Sequence, residues 1–190
     1  MQRIDISEFG SDVYSVTGVG GILYFAPIVN SQDAFNQMVY AYNISTEEIS
    51  AIKFPEGVFH VVNMDDKLYV THGNLVTGEG TALSVYTIGT GEISTYDLNM
   101  WPGQITIENN GLYVMGTDTV AKFDLQTMDK QAEISIPLNE GYYLSSIFSN
   151  WNNDCLSYGN EKQMKNSLKE YLIVLKNSTN PKIIELDKGK

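Results

Sequence analysis

The sequence contains few of the residues that build catalytic and metal centres. Its 190 residues include one cysteine, two histidines and one arginine. The lone Cys155 excludes a disulfide within the chain and any zinc or redox site of the CxxC type. Two histidines are too few for a histidine-rich metal centre, and only Arg3 can hold a phosphate or carboxylate group in a bidentate manner. We therefore predict that the chain holds no cofactor and no metal ion.

Positive charge and targeting signals are scarce as well. The 12 lysine and arginine residues are outnumbered by 23 acidic residues, which gives a net charge of −11. Because binding to phosphate needs a basic surface, this charge argues against nucleic acid and anionic membranes as partners. The N-terminus has no basic segment followed by an apolar one, so no signal peptide is predicted.

One uncharged stretch has the length of a membrane-spanning helix. Residues 13–32 carry no formal charge over 20 positions. The stretch contains Gly18, Gly20, Gly21 and Pro27, and its apolar residues are largely β-branched or aromatic, which is typical of strands. It predicts two strands joined by a glycine turn.

Aromatic residues, glycine and an internal repeat are abundant. The chain has 12 tyrosines, 7 phenylalanines and 16 glycines, which favour β structure with tight turns. Related triplets recur at intervals of 45, 44 and 44 residues, and they are Leu23-Tyr24-Phe25, Leu68-Tyr69-Val70, Leu112-Tyr113-Val114 and Leu156-Ser157-Tyr158. A period of about 40–45 residues is typical of the blades of a β-propeller.

Each repeat divides into four short apolar segments separated by turn residues. In the second repeat they cover residues 59–63, 67–71, 83–87 and 93–98. We predict an all-β fold, a β-propeller with four blades of four antiparallel strands, as a single domain. The predicted blades cover about residues 13–57, 58–103, 104–141 and 142–190.

Residues 2–7 have the pattern of a further outer strand, for which the chain supplies no inner strands. Two interpretations remain open. The chain is part of a larger propeller, or this strand covers a sheet edge.

The strand order and period resemble those of bacterial β-propellers of the YVTN, WD40-like and quinoprotein-like superfamily. The resemblance covers essentially the whole chain, and Thr90-Gly91-Glu92 is similar to the Thr-Gly turn of quinoprotein blades. The Gly-His and Trp-Asp pairs of a true WD40 protein are missing. The resemblance implies that the connections between second and third strands, and those between blades, share a ligand-binding face. A tyrosine- and asparagine-rich propeller without disulfides favours a bacterial extracytoplasmic protein, although the composition is also compatible with the cytoplasm.

The connections between second and third strands differ in length. They are long at residues 26–38, 72–82 and 159–170 and short at 116–119. Because strands must keep their length to pack as blades whereas loops vary freely, we predict that this loop-rich face binds a protein or a carbohydrate. The candidate contact residues are His72, Asn74, Trp101, Tyr142 and Tyr143. The aromatic residues among them have an alternative role, which is packing between blades.

A catalytic function is the alternative to a binding module. Propeller enzymes place histidines near the central axis, so a lyase or a quinoprotein-like oxidoreductase would work through His60 or His72. No serine or cysteine nucleophile is tied to either histidine by spacing, and no third metal ligand is evident. We therefore predict a non-catalytic interaction module. Self-association or further blades would complete its ring.

Overall fold

The computed structural model describes residues 4–10, 12–28, 37–74, 77–108, 110–136, 144, 147, 154–158, 170–175 and 182–186. These residues form 15 strands, and every pairing between strands is antiparallel. They contain no helix, and therefore none that could traverse a bilayer. The all-β prediction is confirmed for this part of the chain.

The strands form four sheets, and in each sheet the spatial order follows the chain order. Sheet 1 contains β1 (Asp12–Val19), β2 (Ile22–Ile28), β3 (Met38–Asn43) and β4 (Ile49–Lys53). Sheet 2 contains β5 (Val58–Met64), β6 (Lys67–His72), β7 (Ala82–Thr87) and β8 (Ile93–Asp97). Sheet 3 contains β9 (Ile105–Glu108), β10 (Gly111–Met115), β11 (Thr119–Asp124) and β12 (Lys130–Ser135). Sheet 4 contains β13 (Asp154–Tyr158), β14 (Glu170–Leu175) and β15 (Lys182–Leu186).

The repeat predicted the strands of the second sheet closely. Their observed bounds differ from the predicted ones by at most one residue. The uncharged stretch at the N-terminal end folds as expected, because β1 and β2 are joined by Gly20 and Gly21, with φ of 60° and 78°. Only glycine adopts such angles freely, so this pair fixes the hairpin and removes any helical continuity.

One strand prediction is tested only in part, and another requires correction. Three of the four sheets have the expected four strands, whereas sheet 4 has three among the described residues. Its expected first strand falls on a segment of which only Leu144 and Ile147 are described. The outer strand predicted at 2–7 is not formed in its described part, because residues 4–6 are irregular and a turn follows. An outer strand needs a neighbouring edge. Here Asp5 instead accepts the Ser7 N–H at 2.9 Å through Oδ1.

The chain divides into two compact units, residues 1–102 and 103–190. In the first unit, sheets 1 and 2 pack face to face around one apolar cluster. Its buried members come from both sheets and from the connection between them, and they are Tyr24, Ala26, Val39, Ala41, Phe54, Val58, Val61, Leu68 and Val70. In the second unit a separate cluster joins sheet 3 to the segment after it, through Tyr113, Met115, Val120, Ile136, Leu144 and Ile147.

A polar side chain links the first strands of successive repeats. Ser15 in β1 donates its hydroxyl to the Val61 carbonyl at 3.0 Å and accepts the Val61 N–H at 3.1 Å. The equivalent residue in the third repeat is Gln104, whose Oε1 accepts the Ile147 N–H at 3.3 Å. The Ser15 contact satisfies both backbone groups of Val61 in β5. Gln104 directly precedes β9, and its contact joins the start of sheet 3 to the segment after that sheet.

Candidate functional site

Three segments of the first unit meet at one end of sheet 2. The connection from β6 to β7 begins with Gly73, whose N–H donates to the Gly57 carbonyl at 3.0 Å. The Trp101 ring, which follows β8, lies 5.3 Å from the ring of buried Phe59. A Cβ atom on Gly78 would lie 4.0 Å from the Trp101 ring. The structure therefore brings Trp101 and the 72–82 connection together, as the loop-rich face requires.

Trp101 is half-buried. Its contact with Phe59 lies within the predicted blade 58–103, whereas the alternative from the sequence was packing between blades. The remaining part of the indole is accessible beside loop residues 77–80, which are exposed. One side of the indole is held by packing, and the other side is available to a binding partner. This is the arrangement of an anchoring contact.

Asn74 shapes the loop beside Trp101. Its Oδ1 accepts the Thr77 N–H at 3.1 Å, and its backbone N–H donates to the Glu79 carbonyl at 2.9 Å. The Gly78 N–H donates back to the Asn74 carbonyl at 2.8 Å. These bonds fix the loop as a closed six-residue turn. Direct contact of Asn74 with a ligand stays a prediction.

The turn at Asn74 occurs four times in the described residues. In each copy the first N–H donates to the carbonyl five residues later, and the N–H four residues later donates back to the first carbonyl. The fourth residue is a threonine whose hydroxyl accepts the N–H of the sixth. The copies cover residues 43–48, 74–79, 87–92 and 124–129. Three close hairpins between third and fourth strands, whereas 74–79 lies in a longer connection. The repeat in the sequence did not reveal the copy at 74–79, although its Thr-Gly-Glu triplet is identical to that at 90–92.

His72 lies inside sheet 2 and not at its surface. Its side chain is 1% exposed, so it is not accessible to a surface partner, which corrects the expectation from the sequence. Nε2 lies 2.8 Å from Ser84 Oγ, which lies 2.8 Å from Thr95 Oγ1. Burial lowers the pKa of His72 to about 4, and the nearby Gly80 backbone only partly opposes this. The ring is therefore neutral at pH 7, and its buried Nδ1 lacks a well-formed hydrogen bond.

His60 does not form a joint site with His72. His60 is paired with Thr71 across the β5–β6 ladder, and His72 is the next residue along β6. Neighbouring residues of a strand point to opposite faces, so the two imidazoles lie on opposite faces of sheet 2. Burial lowers the pKa of His60 to about 4 as well. A catalytic function would therefore depend on two histidines that are neutral at pH 7 and lie on opposite faces of sheet 2.

The other candidate features are distributed as follows. Tyr142 and Tyr143 lie outside the described residues, as does most of the 26–38 connection. Among the described residues no group of three histidine, cysteine or acidic side chains could hold a metal ion. A cavity of about 450 Å³ is lined by Ile22, Ala41, Asn43, Glu48, Ile49 and Ser50. It lies where β2 begins and β3 ends, which is opposite to the loop-rich end.

Comparisons with known proteins show the fold. No protein-family model matches the sequence, and no curated protein matches it. The extracellular domain of the hybrid two-component system BT4673 from B. thetaiotaomicron is similar over 98% of this chain and 24% of its own length, with a TM-score of 0.66 and 15% identity. The N-terminal domain of Nup159 is similar over 92% of this chain and 48% of its own, with a TM-score of 0.58 and 20% identity.

These neighbours are propeller-like domains, so the repeated sheets of this chain belong to a β-propeller-like fold. The chain spans about a quarter of the first neighbour and about half of the second.

Proposed function

We propose that this chain is a non-catalytic β-propeller module that recognises a protein or carbohydrate surface through its loop-rich face. The observation that carries the proposal is the position of Trp101. The indole rests on Phe59 and borders a turn whose shape is fixed by Asn74. A pre-organised aromatic anchor beside a defined loop keeps the entropic cost of binding low.

Two carboxylates at the 77–80 segment suit recognition of hydroxyl and amide groups. Glu79 is exposed in the turn, and the Glu56 side chain approaches Gly80, where a Cβ atom would lie 2.8 Å from Glu56 Cγ. Carboxylates accept hydrogen bonds from sugar hydroxyls and from peptide or basic groups. An aromatic ring at the same end of sheet 2 as these acceptors therefore fits a carbohydrate or a protein segment. The net charge of −11 disfavours phosphate-rich partners such as nucleic acid and anionic membranes.

The finer assignment to the YVTN, WD40-like and quinoprotein-like superfamily is part of this proposal. It is supported by the period of the triplets and by strand order within each sheet. We propose that four blades form part of a ring that other blades complete, in a longer chain or a second copy. An extracytoplasmic bacterial location is supported by the likeness to an extracellular domain from B. thetaiotaomicron.

The catalytic alternative has weaker support. His60 and His72 lie on opposite faces of sheet 2, and burial holds the pKa of each near 4. A lyase base would need access to its substrate as well as a suitable pKa. His72 is 1% exposed and lacks that access.

The experiment is a binding screen followed by one matched pair of variants. The chain is applied to a glycan array and to soluble cell-envelope proteins, and each hit is measured with W101A and Y96A. Tyr96 is 36% exposed on β8, so it is a control for loss of a surface aromatic side chain. We expect W101A to weaken binding at least about tenfold and Y96A to leave it within about twofold. A screen without hits, or equal loss in both variants, would contradict the proposal.

A further inference from the structure

The cavity in sheet 1 has both apolar and polar lining residues, and the proposed function does not use it. Its volume of about 450 Å³ is within the range of about 300–1,000 Å³ that is usual for ligand sites. Ala41 and Asn43 are two residues apart on β3, so they share a face of the sheet with the residues paired to them in β2 and β4. We call this space the sheet 1 cavity.

The repeat shows which side chain occupies the equivalent place in sheet 3. The residue equivalent to Ala41 is Lys122, because each pairs with the repeated tyrosine of the neighbouring strand. The Lys122 chain crosses the backbone of Gly111, where a Cβ atom would lie 2.6 Å from Lys122 Cε. Its ammonium group lies 5.3 Å from the centre of the Tyr113 ring. In sheet 3 an alkyl chain that ends in an ammonium group therefore fills this place.

Sheet 2 also has a lysine in this part of the repeat, whereas sheet 1 has none. Lys67 corresponds to Ile22, because both begin the second strand of their sheets. Lys67 and Lys122 are each half-buried. In sheet 1 the two positions carry Ile22 and Ala41, which are shorter and uncharged, and both residues line the cavity. The cavity thus lies where two other sheets of this chain supply a lysine side chain.

Glu48 provides the negative charge that an ammonium group needs. Its Oε2 accepts the Thr46 hydroxyl at 3.2 Å, and no lysine or arginine of the described residues forms an ion pair with it. The turn before it is fixed, because Asn43 Oδ1 accepts the N–H groups of Ser45 and Thr46 at 2.9 and 3.2 Å. Ser50, two residues further on, adds a hydroxyl oxygen to the lining. The cavity therefore combines two oxygen acceptors with apolar side chains.

We propose that the sheet 1 cavity binds a primary ammonium group on an unbranched alkyl chain. The lysine side chain of a partner protein and a small alkylamine both carry this chemistry. The alkyl chain packs on Ile22 and Ala41, and the ammonium group donates to Glu48. The net charge of −11 favours a cation. The cavity is at the end of the sheet opposite to the loop-rich face, so this proposal does not depend on the proposed function.

The test is a titration of the chain followed by amide chemical shifts in nuclear magnetic resonance. The probes are n-butylamine and a blocked glycine–lysine–glycine peptide, and their uncharged analogues are n-butanol and the same peptide with norleucine. In about 20 mM salt, where charges are weakly screened, we expect at least one probe to bind with a dissociation constant of about 1 mM. The analogues should bind at least about tenfold more weakly, and the shifts should be confined to residues around the cavity.

The two probes distinguish the two sources of the ammonium group. Binding of the peptide at least about tenfold more tightly than the amine would identify the lysine of a partner protein as the ligand. Similar affinities, or tighter binding of the amine, would identify a small alkylamine.

The matched variants are Glu48→Gln and Glu92→Gln. Glu92 is exposed at the equivalent turn position of sheet 2, and each variant removes one negative charge, so general attraction of cations changes equally. We expect E48Q to weaken binding at least about tenfold and E92Q to leave it within about twofold. No binding of either probe, equal binding of the analogues, or equal loss in the two variants would overturn the proposal.

A third variant gives sheet 1 the lysine that sheet 3 has. In Ala41→Lys the new side chain occupies the cavity, so neither probe should bind, and circular dichroism checks the fold. A folded A41K that binds as the wild type does would also overturn the proposal. If A41K does not fold, the comparison of E48Q with E92Q decides, because both residues are exposed.

Discussion

Strands β1 and β5 occupy the same position in successive repeats but differ in burial. Both carry a bulge before an apolar residue, yet Val16 in β1 is 60% exposed and Val61 in β5 is 0% exposed. The residue is valine at both positions, so the difference comes from what packs on each strand. Burial in this repeat is therefore set by the neighbouring sheet and not by the strand itself.

The largest effect is expected where that neighbour is present. Val61→Asp would place a carboxylate in the cluster between sheets 1 and 2, where no partner is provided. We expect a loss of at least about 4 kcal/mol in the free energy of unfolding, from lost apolar burial and the cost of an unpaired buried charge. Val16→Asp should cost less than about 1 kcal/mol because its side chain is exposed.

Urea unfolding of dilute protein measures both variants, at concentrations too low for association. Similar losses in V61D and V16D would show that the face of sheet 1 that carries Val16 is covered within a single chain. That result would remove the difference between β1 and β5.

The sequence predicted the repeat well because strand period and turn chemistry are local properties. The glycine pair at 20–21 and the short 116–119 connection are in the structure as expected. The meeting of Trp101 with the 72–82 connection was also predictable, since chain order places both at one end of a sheet. These features follow from antiparallel pairing and need no knowledge of side-chain packing.

The predictions that failed depended on neighbours in space. His72 was expected in a loop-rich face because it directly precedes a long connection, but it is the last residue of β6 and points into the sheet interface. Residues 4–7 have a strand pattern, but a strand forms only beside a partner edge. The linking role of Ser15 was missed because a serine in a strand gives no signal of a bond 46 residues away.

Acid should destabilise sheet 2 at His72, whereas sheet 1 has no titratable group at the equivalent position. The repeat equivalent of His72 is Pro27. The pKa of His72 is about 4 when folded, against an ordinary value of 6.5. Above pH 6.5 the residue is neutral in both states and has no effect. Between pH 6.5 and 4 only the unfolded chain binds the proton, so stability falls as pH falls.

The expected contribution of His72 to this loss is about 2 kcal/mol at pH 4, reduced from the ideal value by solvent screening near exposed Gly80 and Thr95. Unfolding of the wild-type chain and of His72→Gln is measured between pH 7 and 4. The acidic residues contribute equally to both profiles of unfolding free energy against pH, so subtracting one profile from the other isolates the contribution of His72. We expect H72Q to be less stable at pH 7 but to lose less stability on acidification. Parallel profiles would mean that His72 is protonated or hydrated in the folded protein.

The smallest expected effect concerns the link between β1 and β5. Ser15→Ala removes the hydroxyl that bonds both backbone groups of Val61, and Ser15 is 6% exposed, so water cannot readily replace it. A buried backbone group without a partner costs about 1–2 kcal/mol, which is the loss we expect for S15A. Ser50→Ala is the control, because Ser50 is exposed on β4, and its loss should stay below about 0.5 kcal/mol. Hydrogen exchange of the Val61 amide locates the effect, since its protection should fall in S15A and not in S50A. Unchanged protection in S15A would show that packing of the two sheets alone holds β1 beside β5.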